Sequence, residues 1–389
     1  MRAAVTCGVI VLCTMHLAGD TGRDREAAEE VNTGAIRSVS HRSVRVQGVA
    51  QYVAPIPNAR LQLPVVSPDG IWVACQQRQI ESPQPAIDSL MTGRGLEAVS
   101  LWFQSTVDPS FPPRRVADRG ACWAKWSPNN KTLLFVAYDE DDNCTIRLHD
   151  VAANETRRLG TGMRRMMMPA MHVASDRVAV VGFDDAPATA RVYVVDLKTR
   201  DVMPAPRQST NSTQSRPLWL TDGSMYFLSL DGERGASLMH WKPGQREARP
   251  VRTIHEKETT LYDSMIMFHG VPRPLSPGEQ QLMYFDLAQR RFRTLPIKAS
   301  GDTPLQSGYA VAMWHGAGHV LAGRETSLDL IQLPNDASDG PDAPRRTRVL
   351  DATWAPVWSD PVGQQAMLVG RTPDPNRFNL VRMYLISGQ

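Results

Sequence analysis

The stretch from Trp126 to Gly160 most constrains the fold, because it contains one complete unit of turn, strand, hairpin and strand. Ser127-Pro128-Asn129-Asn130 has the composition of a tight turn, since proline presets one backbone angle and asparagine tolerates the left-handed conformation. A lead-in strand precedes this turn. After the turn, an apolar run predicts a buried strand. A run that alternates polar and apolar residues predicts a half-buried strand, and a charged run predicts an edge strand. The four predicted strands of this antiparallel sheet are Ala121–Lys125, Thr132–Tyr138, Thr145–His149 and Glu155–Leu159.

The same outline recurs along the chain. Turn markers fall near residues 67, 127, 175, 222, 263, 315 and 360, so successive units begin about 40 to 60 residues apart. The first unit, Val65–Cys75, contains the fullest form of the turn, and an insertion at Gln76–Glu97 lengthens its hairpin. Insertions in a repeat array lie on one face, where binding surfaces are often built.

This unit resembles the repeat of TolB-type β-propellers, which are relatives of the WD-repeat propellers. Their pattern is a Ser-Pro-Asp-Gly turn, an apolar strand, a polar hairpin and a strand that ends in Asp-Leu or Asp-Val. Here Ser67-Pro68-Asp69-Gly70 matches the turn and His149-Asp150-Val151 matches the end of the strand. The resemblance implies an all-β propeller over about residues 40–389. It implies no particular activity, because propellers carry many unrelated functions.

Seven turn markers predict seven four-stranded blades in one propeller domain, residues 39–389, although six blades remain possible if the fifth unit is incomplete. The last unit ends after its third strand, Asn379–Ile386, while Val39–Val53 is strand-like without a unit of its own. We therefore expect these two segments to pair. Such pairing joins the first and last blades and leaves no open sheet edge.

The N-terminus has the pattern of a secretory signal peptide over residues 1–19. It contains one positive charge, then an uncharged apolar run, and it ends in small residues of the kind found at a cleavage site. A mitochondrial presequence is the alternative. Residues 20–38 are charged and aperiodic, which predicts a flexible leader. No later run is long and apolar enough to cross a membrane, so we expect a secreted or periplasmic mature chain with no membrane span.

Composition excludes some classes of function and leaves others open. The net charge is only +3, which gives no support for nucleic-acid binding. The chain contains no Gly-x-Ser-x-Gly or phosphate-loop motif. Three cysteines remain after signal cleavage and permit one disulfide, although their strand positions favour buried thiols. Four Asn-x-Ser/Thr triplets are glycosylation acceptors only if the source is eukaryotic: Asn130, Asn143, Asn154 and Asn211.

No metal or other cofactor is predicted. His315 and His319 flank a glycine-rich turn without a third ligand nearby, so two loop histidines explain them better than a metal site. The acidic run Asp139–Asn143 lacks the ligand spacing of a calcium loop and is better explained as a solvated hairpin.

Tryptophans recur just before the turns, where they can stack a ligand at the channel mouth or pack between blades. The leading hypothesis is a monomeric binding or scaffolding module that holds a protein or peptide through rim loops and the channel mouth. The alternative is a propeller enzyme, a lyase or hydrolase of an extracellular polymer, which uses His172, His315 or His319. No catalytic residue is assigned. The candidate binding residues are Trp123, Trp126, His172, Trp219, Trp314, His315, His319 and Trp358.

Overall fold

A computed structural model gives the fold of most of the chain. The proposed signal peptide and leader lie outside the described residues, as does most of the Gln76–Glu97 insertion. The described residues are 39–41, 44–57, 59, 63–79, 95–108, 110–139, 143–163, 165–172, 174, 176–183, 190–210, 212–231, 235–254, 281–286, 291–298, 312–314, 319–323, 327–332, 346–350, 354–360, 364–374 and 376–388.

The described strands form seven antiparallel sheets, numbered here from the first unit to the last. No helix occurs among them. In chain order, the strands are β1 (Val39–His41) and β2 (Val44–Pro57), which belong to sheet 7; β3 (Val65–Val66), β4 (Trp72–Arg78), β5 (Val99–Ser105) and β6 (Arg114–Ala117) in sheet 1; β7 (Ala121–Trp126), β8 (Thr132–Tyr138), β9 (Cys144–Asp150) and β10 (Glu155–Leu159) in sheet 2; β11 (Met166–Met171), β12 (Arg177–Phe183), β13 (Ala190–Asp196) and β14 (Val202–Pro204) in sheet 3; β15 (Thr213–Trp219), β16 (Met225–Asp231), β17 (Gly235–Trp241) and β18 (Arg249–Ile254) in sheet 4; β19 (Gln281–Asp286) and β20 (Arg291–Lys298) in sheet 5; β21 (Ala312–Trp314), β22 (His319–Gly323), β23 (Leu328–Gln332) and β24 (Arg346–Leu350) in sheet 6; and β25 (Trp354–Ser359), β26 (Gln365–Arg371) and β27 (Arg377–Gly388) in sheet 7.

The unit from Trp126 to Gly160 forms sheet 2 as the sequence predicts. Its central strand β8 is buried along almost all its length, whereas the edge strand β10 exposes four of its five residues. The turn between β7 and β8 is held by Ser127, whose hydroxyl donates to Asn129 and accepts from the backbone N–H of Thr132 at 2.9 Å. Ser67 makes the equivalent bonds in sheet 1, which explains why Ser recurs at the start of the turn.

The N-terminal strand completes the last sheet. β2 pairs antiparallel with β27 from Arg45 opposite Gly388 to Pro57 opposite Arg377, and sheet 7 therefore has the order β1-β2-β27-β26-β25. The predicted pairing of the N-terminal segment with the end of the chain is confirmed for Arg45–Val53. Val39–His41 instead forms β1 and pairs with β2. In sheet 5 only β19 and β20 are described, so the number of blades remains a prediction.

Hydrophobic clusters fill the space between neighbouring sheets. They lie between sheets 1 and 2, 2 and 3, 3 and 4, 6 and 7, and 7 and 1. The thiols of Cys75, Cys122 and Cys144 are buried in these clusters and are free. Burial raises the pKa of Cys75 and of Cys144 to about 12 and that of Cys122 well above its ordinary value. The three cysteines are therefore buried, unreactive thiols and do not form a disulfide with one another.

His149 is buried at the contact between sheets 1 and 2. It is 2% exposed, its ring centroid lies 5.5 Å from that of Phe103, and its Nδ1 is 2.9 Å from the hydroxyl oxygen of Thr156. Its Nε2 has no hydrogen-bond partner among the described residues. Burial lowers the pKa of His149, and Arg114 lowers it further, whereas Asp150 acts in the opposite direction.

We expect His149 to make the protein less stable in mild acid. Because the folded-state pKa lies below about 6.5, the unfolded chain binds the proton first, and the free energy of unfolding falls as the pH drops from about 6.5 through the lowered pKa. His149→Leu should weaken this dependence without loss of stability at neutral pH. Urea unfolding of both proteins at several pH values tests the prediction. Parallel pH profiles for the two proteins would contradict it.

Candidate functional site

Six first strands among the described residues lie side by side in one series. β21, β25, β3, β7, β11 and β15 contact one another in that order, and in each four-stranded sheet the first strand lies at one end of the strand order. Strands that meet both neighbouring sheets in this way are the innermost ones of a radial array. Side chains on the inner side of these six strands therefore face the axis of the array.

Three neighbouring first strands are irregular at the same position. Trp123, Met168 and Arg216 have φ angles of 55°, 50° and 55°, and the pairing with the second strand shifts register at each of them. A left-handed residue other than glycine is uncommon and costs about 1–3 kcal/mol unless its surroundings enforce it. Bulges of this kind redirect a side chain and are frequent beside functional sites.

Trp123 reaches from sheet 2 toward sheets 3 and 4. It is partly buried and packs against two hydrophobic clusters, of which one lies between sheets 2 and 3 and the other between sheets 3 and 4. Met168 packs against the second of these clusters. The indole of Trp123 and the thioether of Met168 thus contribute to an apolar surface near the first strands of sheets 2 and 3.

Two cations belong to the same region. Lys125 follows Trp123 by two residues and is solvent-exposed, but desolvation lowers its pKa, and the charge of Arg216 lowers it further. None of the ion pairs formed by the described residues includes Lys125.

His172 and Trp219, both predicted site residues, lie together between sheets 3 and 4. Their ring centroids are 5.0 Å apart, and Nδ1 of His172 is 2.8 Å from Oδ1 of Asp176. The Nε2 of His172 is buried and has no hydrogen-bond partner in the described part of the chain. The indole N–H of Trp219 donates to the carbonyl oxygen of Ala170 at 2.9 Å and so ties sheet 4 to sheet 3.

Trp126 and Trp358 also connect neighbouring sheets. The indole N–H of Trp126 donates to Val65 of sheet 1 at 2.9 Å, and that of Trp358 donates to Pro68 of sheet 1 at 3.0 Å. Both side chains are at least nine-tenths buried. Packing between sheets, the second of the two explanations offered by the sequence, accounts for their positions, and a role in ligand binding remains a prediction.

The other predicted site residues lie in or beside sheet 6. Trp314 ends β21 and His319 begins β22, where it pairs with Gln332 and is partly exposed. His315 lies outside the described residues. His172 lies beside sheet 3 and His319 belongs to sheet 6, and these two sheets are not neighbours.

Sequence patterns do not single out Arg216. Alignment of the first strands would have pointed to this position. Trp123, Met168 and Arg216 each lie three residues before the end of a first strand. Within the described ranges, no group of three His, Cys, Asp or Glu residues could hold a metal ion. In the same ranges, no helix has the length and apolar character needed to span a bilayer.

Comparisons with solved structures identify the class of fold. The propeller domain of the Trilobed protease from Pyrococcus furiosus is 12% identical, with 85% of this chain and 94% of that chain covered and a TM-score of 0.53. An oligogalacturonate lyase in complex with manganese is 12% identical, with 91% and 96% covered and a TM-score of 0.54. The chain is a β-propeller, and the prediction of its fold class is confirmed.

The chain is also similar to TolB from Acinetobacter baumannii, at 12% identity and a TM-score of 0.41. The match covers 77% of this chain and spans 63% of the TolB chain. No protein-family model and no curated protein sequence matches. At these identities the likeness concerns the fold alone, and function has to be argued from the residues themselves.

Proposed function

We propose that this propeller is a binding module that holds a protein or peptide at the mouth of its central channel, with the rim loops as additional contacts. The observation that carries the proposal is the shared left-handed position of Trp123, Met168 and Arg216. Three neighbouring strands accept backbone strain to present an aromatic, a flexible apolar and a cationic side chain near one axis. Side chains of these types are enriched at sites that recognise peptides and proteins.

The export signal fits this function, and we propose that the mature chain acts as a monomer in a secreted or periplasmic location. Removal of residues 1–19 should leave Asp20 or a residue close to it as the new N-terminus. N-terminal sequencing of the protein recovered from the periplasm or medium tests this proposal. Recovery from mitochondria would favour the alternative presequence.

The binding function is tested with purified mature chain as bait in an extract of its native source. A captured protein is then purified and titrated directly against three baits: wild type, a chain with residues 80–94 replaced by a short Gly-Ser loop, and Trp123→Gly. Glycine suits the φ of 55° at position 123, so this variant removes the side chain without adding backbone strain. Weaker binding by either variant would support the proposal. Failure of the wild-type bait to bind any purified candidate would contradict it.

An enzyme remains the second candidate, because His172 is oriented by a carboxylate and has a buried, unpartnered Nε2 among the described groups. A histidine held in this way is suited to proton transfer. Both residues flank one turn, however, and Asp176 is half-exposed. Turnover of a polysaccharide or peptide by the wild type that His172→Gln abolishes, with the urea midpoint unchanged, would favour the enzyme over the binding module.

A further inference from the structure

The outer side of the propeller is rich in arginine. In the five four-stranded sheets among the described residues, the last strand lies at the end of the strand order opposite the first strand, which makes it the outermost strand. Four of these five outermost strands contain two arginines each: β6, β10, β18 and β24. Glu155 of β10 is the single acidic residue in the five strands. These strands therefore carry an excess of positive charge.

Several of the arginines are exposed and have few partners. Arg157 and Arg249 are exposed, and neither forms an ion pair with a described residue. Arg115 and Arg158 each pair with an aspartate, at 2.8 Å and 3.9 Å, but both arginine side chains remain more than half exposed. Exposed ion pairs contribute only about 0–1 kcal/mol, so an anionic ligand can compete for these arginines.

Sheet 1 holds its two guanidinium groups against aromatic rings. Arg114 lies opposite Phe103 in the pairing of β5 with β6, and its guanidinium carbon is 4.4 Å from the centroid of the Phe111 ring. Arg115 lies opposite Trp102, and its guanidinium carbon is 5.7 Å from the centroid of that ring. Adjacent residues of a strand point to opposite faces, so β6 presents one stacked cation on each face of the sheet. Side chains that are ordered before binding lose less entropy when a ligand binds.

Charge at an exposed sheet edge also has a structural explanation, because it discourages pairing with another chain. Sheet 3 is protected without any charge, since β14 is only three residues long and ends at Pro204. The paired arginines of the other four sheets therefore call for a further explanation.

The positions of these arginines select the kind of ligand. Sheets 1 and 2 are neighbours, and sheets 4 and 6 belong to the same series, so the arginines follow the outer side of the array rather than one of its faces. A small anion can contact the arginines of only one sheet. A long, flexible polyanion can contact several sheets at once, which multiplies weak individual contacts. A peptide gains little main-chain pairing here, because the four strands have only four to six residues each.

We propose that the outermost strands of sheets 1, 2, 4 and 6 bind an anionic polysaccharide. Guanidinium groups bind carboxylates through paired, charge-assisted hydrogen bonds, and a sulfate group offers oxygens in the same tetrahedral arrangement as a phosphate. A net charge of +3 is too small to favour nucleic acid as the ligand. This surface lies away from the first strands, so the inference goes beyond the proposed function and does not depend on it.

Calorimetric titration of the mature chain with size-fractionated heparin tests this inference. Neutral dextran and poly-glutamate serve as comparison ligands. We expect heparin to bind, dextran not to bind and poly-glutamate to bind more weakly than heparin. Arg157→Gln/Arg249→Gln should weaken heparin binding about 10-fold, because it removes one unpaired cation from each of two sheets. Added salt should weaken binding by the wild type.

Lys131→Gln/Lys198→Gln is the matched control, because it removes the same charge from exposed turns of sheets 2 and 3 that lie outside the outermost strands. Urea midpoints and light scattering show whether each variant is folded and monomeric. An equal loss of binding with the control variant, or no binding of heparin by the folded wild type, would overturn the inference. So would tighter binding of poly-glutamate or single-stranded DNA than of heparin. Aggregation of the arginine variant with unchanged heparin binding would leave edge protection as the role of these arginines and would also overturn the inference.

Discussion

Removal of residues 1–57 is expected to abolish cooperative folding, because it deletes β1 and the β2 strand that closes the propeller. β2 pairs with β27 over almost its whole length and also supplies Ile56, which is fully buried between sheets 7 and 1. A strand of this length forms on the order of ten backbone hydrogen bonds, each worth about 1 kcal/mol net. That sum is comparable with the whole stability of a domain, about 5–15 kcal/mol.

The truncated chain should also aggregate, because β27 becomes an unpaired edge. Size-exclusion chromatography with light scattering and urea unfolding measure both effects. A chain that lacks only residues 1–38 is the control, since it keeps every described strand, and it should unfold as the full chain does. Addition of a synthetic peptide of residues 39–57 should partly restore a monomeric, folded protein. A soluble, cooperatively folded chain without residues 1–57 would show that the closure is dispensable.

Local sequence signals predicted most of the architecture. Ser67 and Ser127 begin turns whose hydrogen bonds involve residues only two to five positions away, so the turns can be recognised from short motifs. The closing strand could also be inferred, because Val39–Val53 lacked a unit and the last unit lacked a strand. Both inferences depend on strand pairing and period, which a single sequence displays.

Contacts between sheets could not be predicted in the same way. Trp358 donates to Pro68, and Arg382 donates to Gly70 at 2.8 Å and to Thr106 at 2.9 Å, across about 300 residues of chain. These bonds depend on how the first and last sheets approach each other, and no short motif encodes that distance.

The repeat also could not separate the tryptophans that pack between sheets from Trp123, for which a role in binding is proposed. Trp123 and Trp126 lie in one strand, but Trp126 is buried and bonded to sheet 1, whereas Trp123 has a left-handed backbone and extends toward sheets 3 and 4. Alternation alone places residues three apart on opposite faces of a regular strand. The bulge between Cys122 and Lys125 breaks that alternation, and it became visible only with the register of β7 against β8.

Among the described glycines, Gly120 is the position where a single methyl group should be most damaging. Its φ is +69°, and a Cβ at this residue would overlap the carbonyl oxygen of Tyr138. The backbone cannot move aside easily, because the N–H of Gly120 donates to Leu96 at 2.9 Å and its carbonyl oxygen accepts from the N–H of Tyr138 at 3.0 Å. The methyl group would therefore meet main chain that is hydrogen-bonded on both sides.

We expect Gly120→Ala to lower the free energy of unfolding by about 3 kcal/mol or more, as a combination of left-handed strain and overpacking. Two glycines of the connection between sheets 2 and 3 separate these causes. Gly162 has a φ of +74° but open space around its Cβ, so Gly162→Ala should lose only about 1–2 kcal/mol. Gly160 has open space and no positive φ, so Gly160→Ala should change stability by less than about 0.5 kcal/mol. Urea unfolding of the three variants ranks them, and a Gly120→Ala protein no less stable than Gly162→Ala would refute the steric argument.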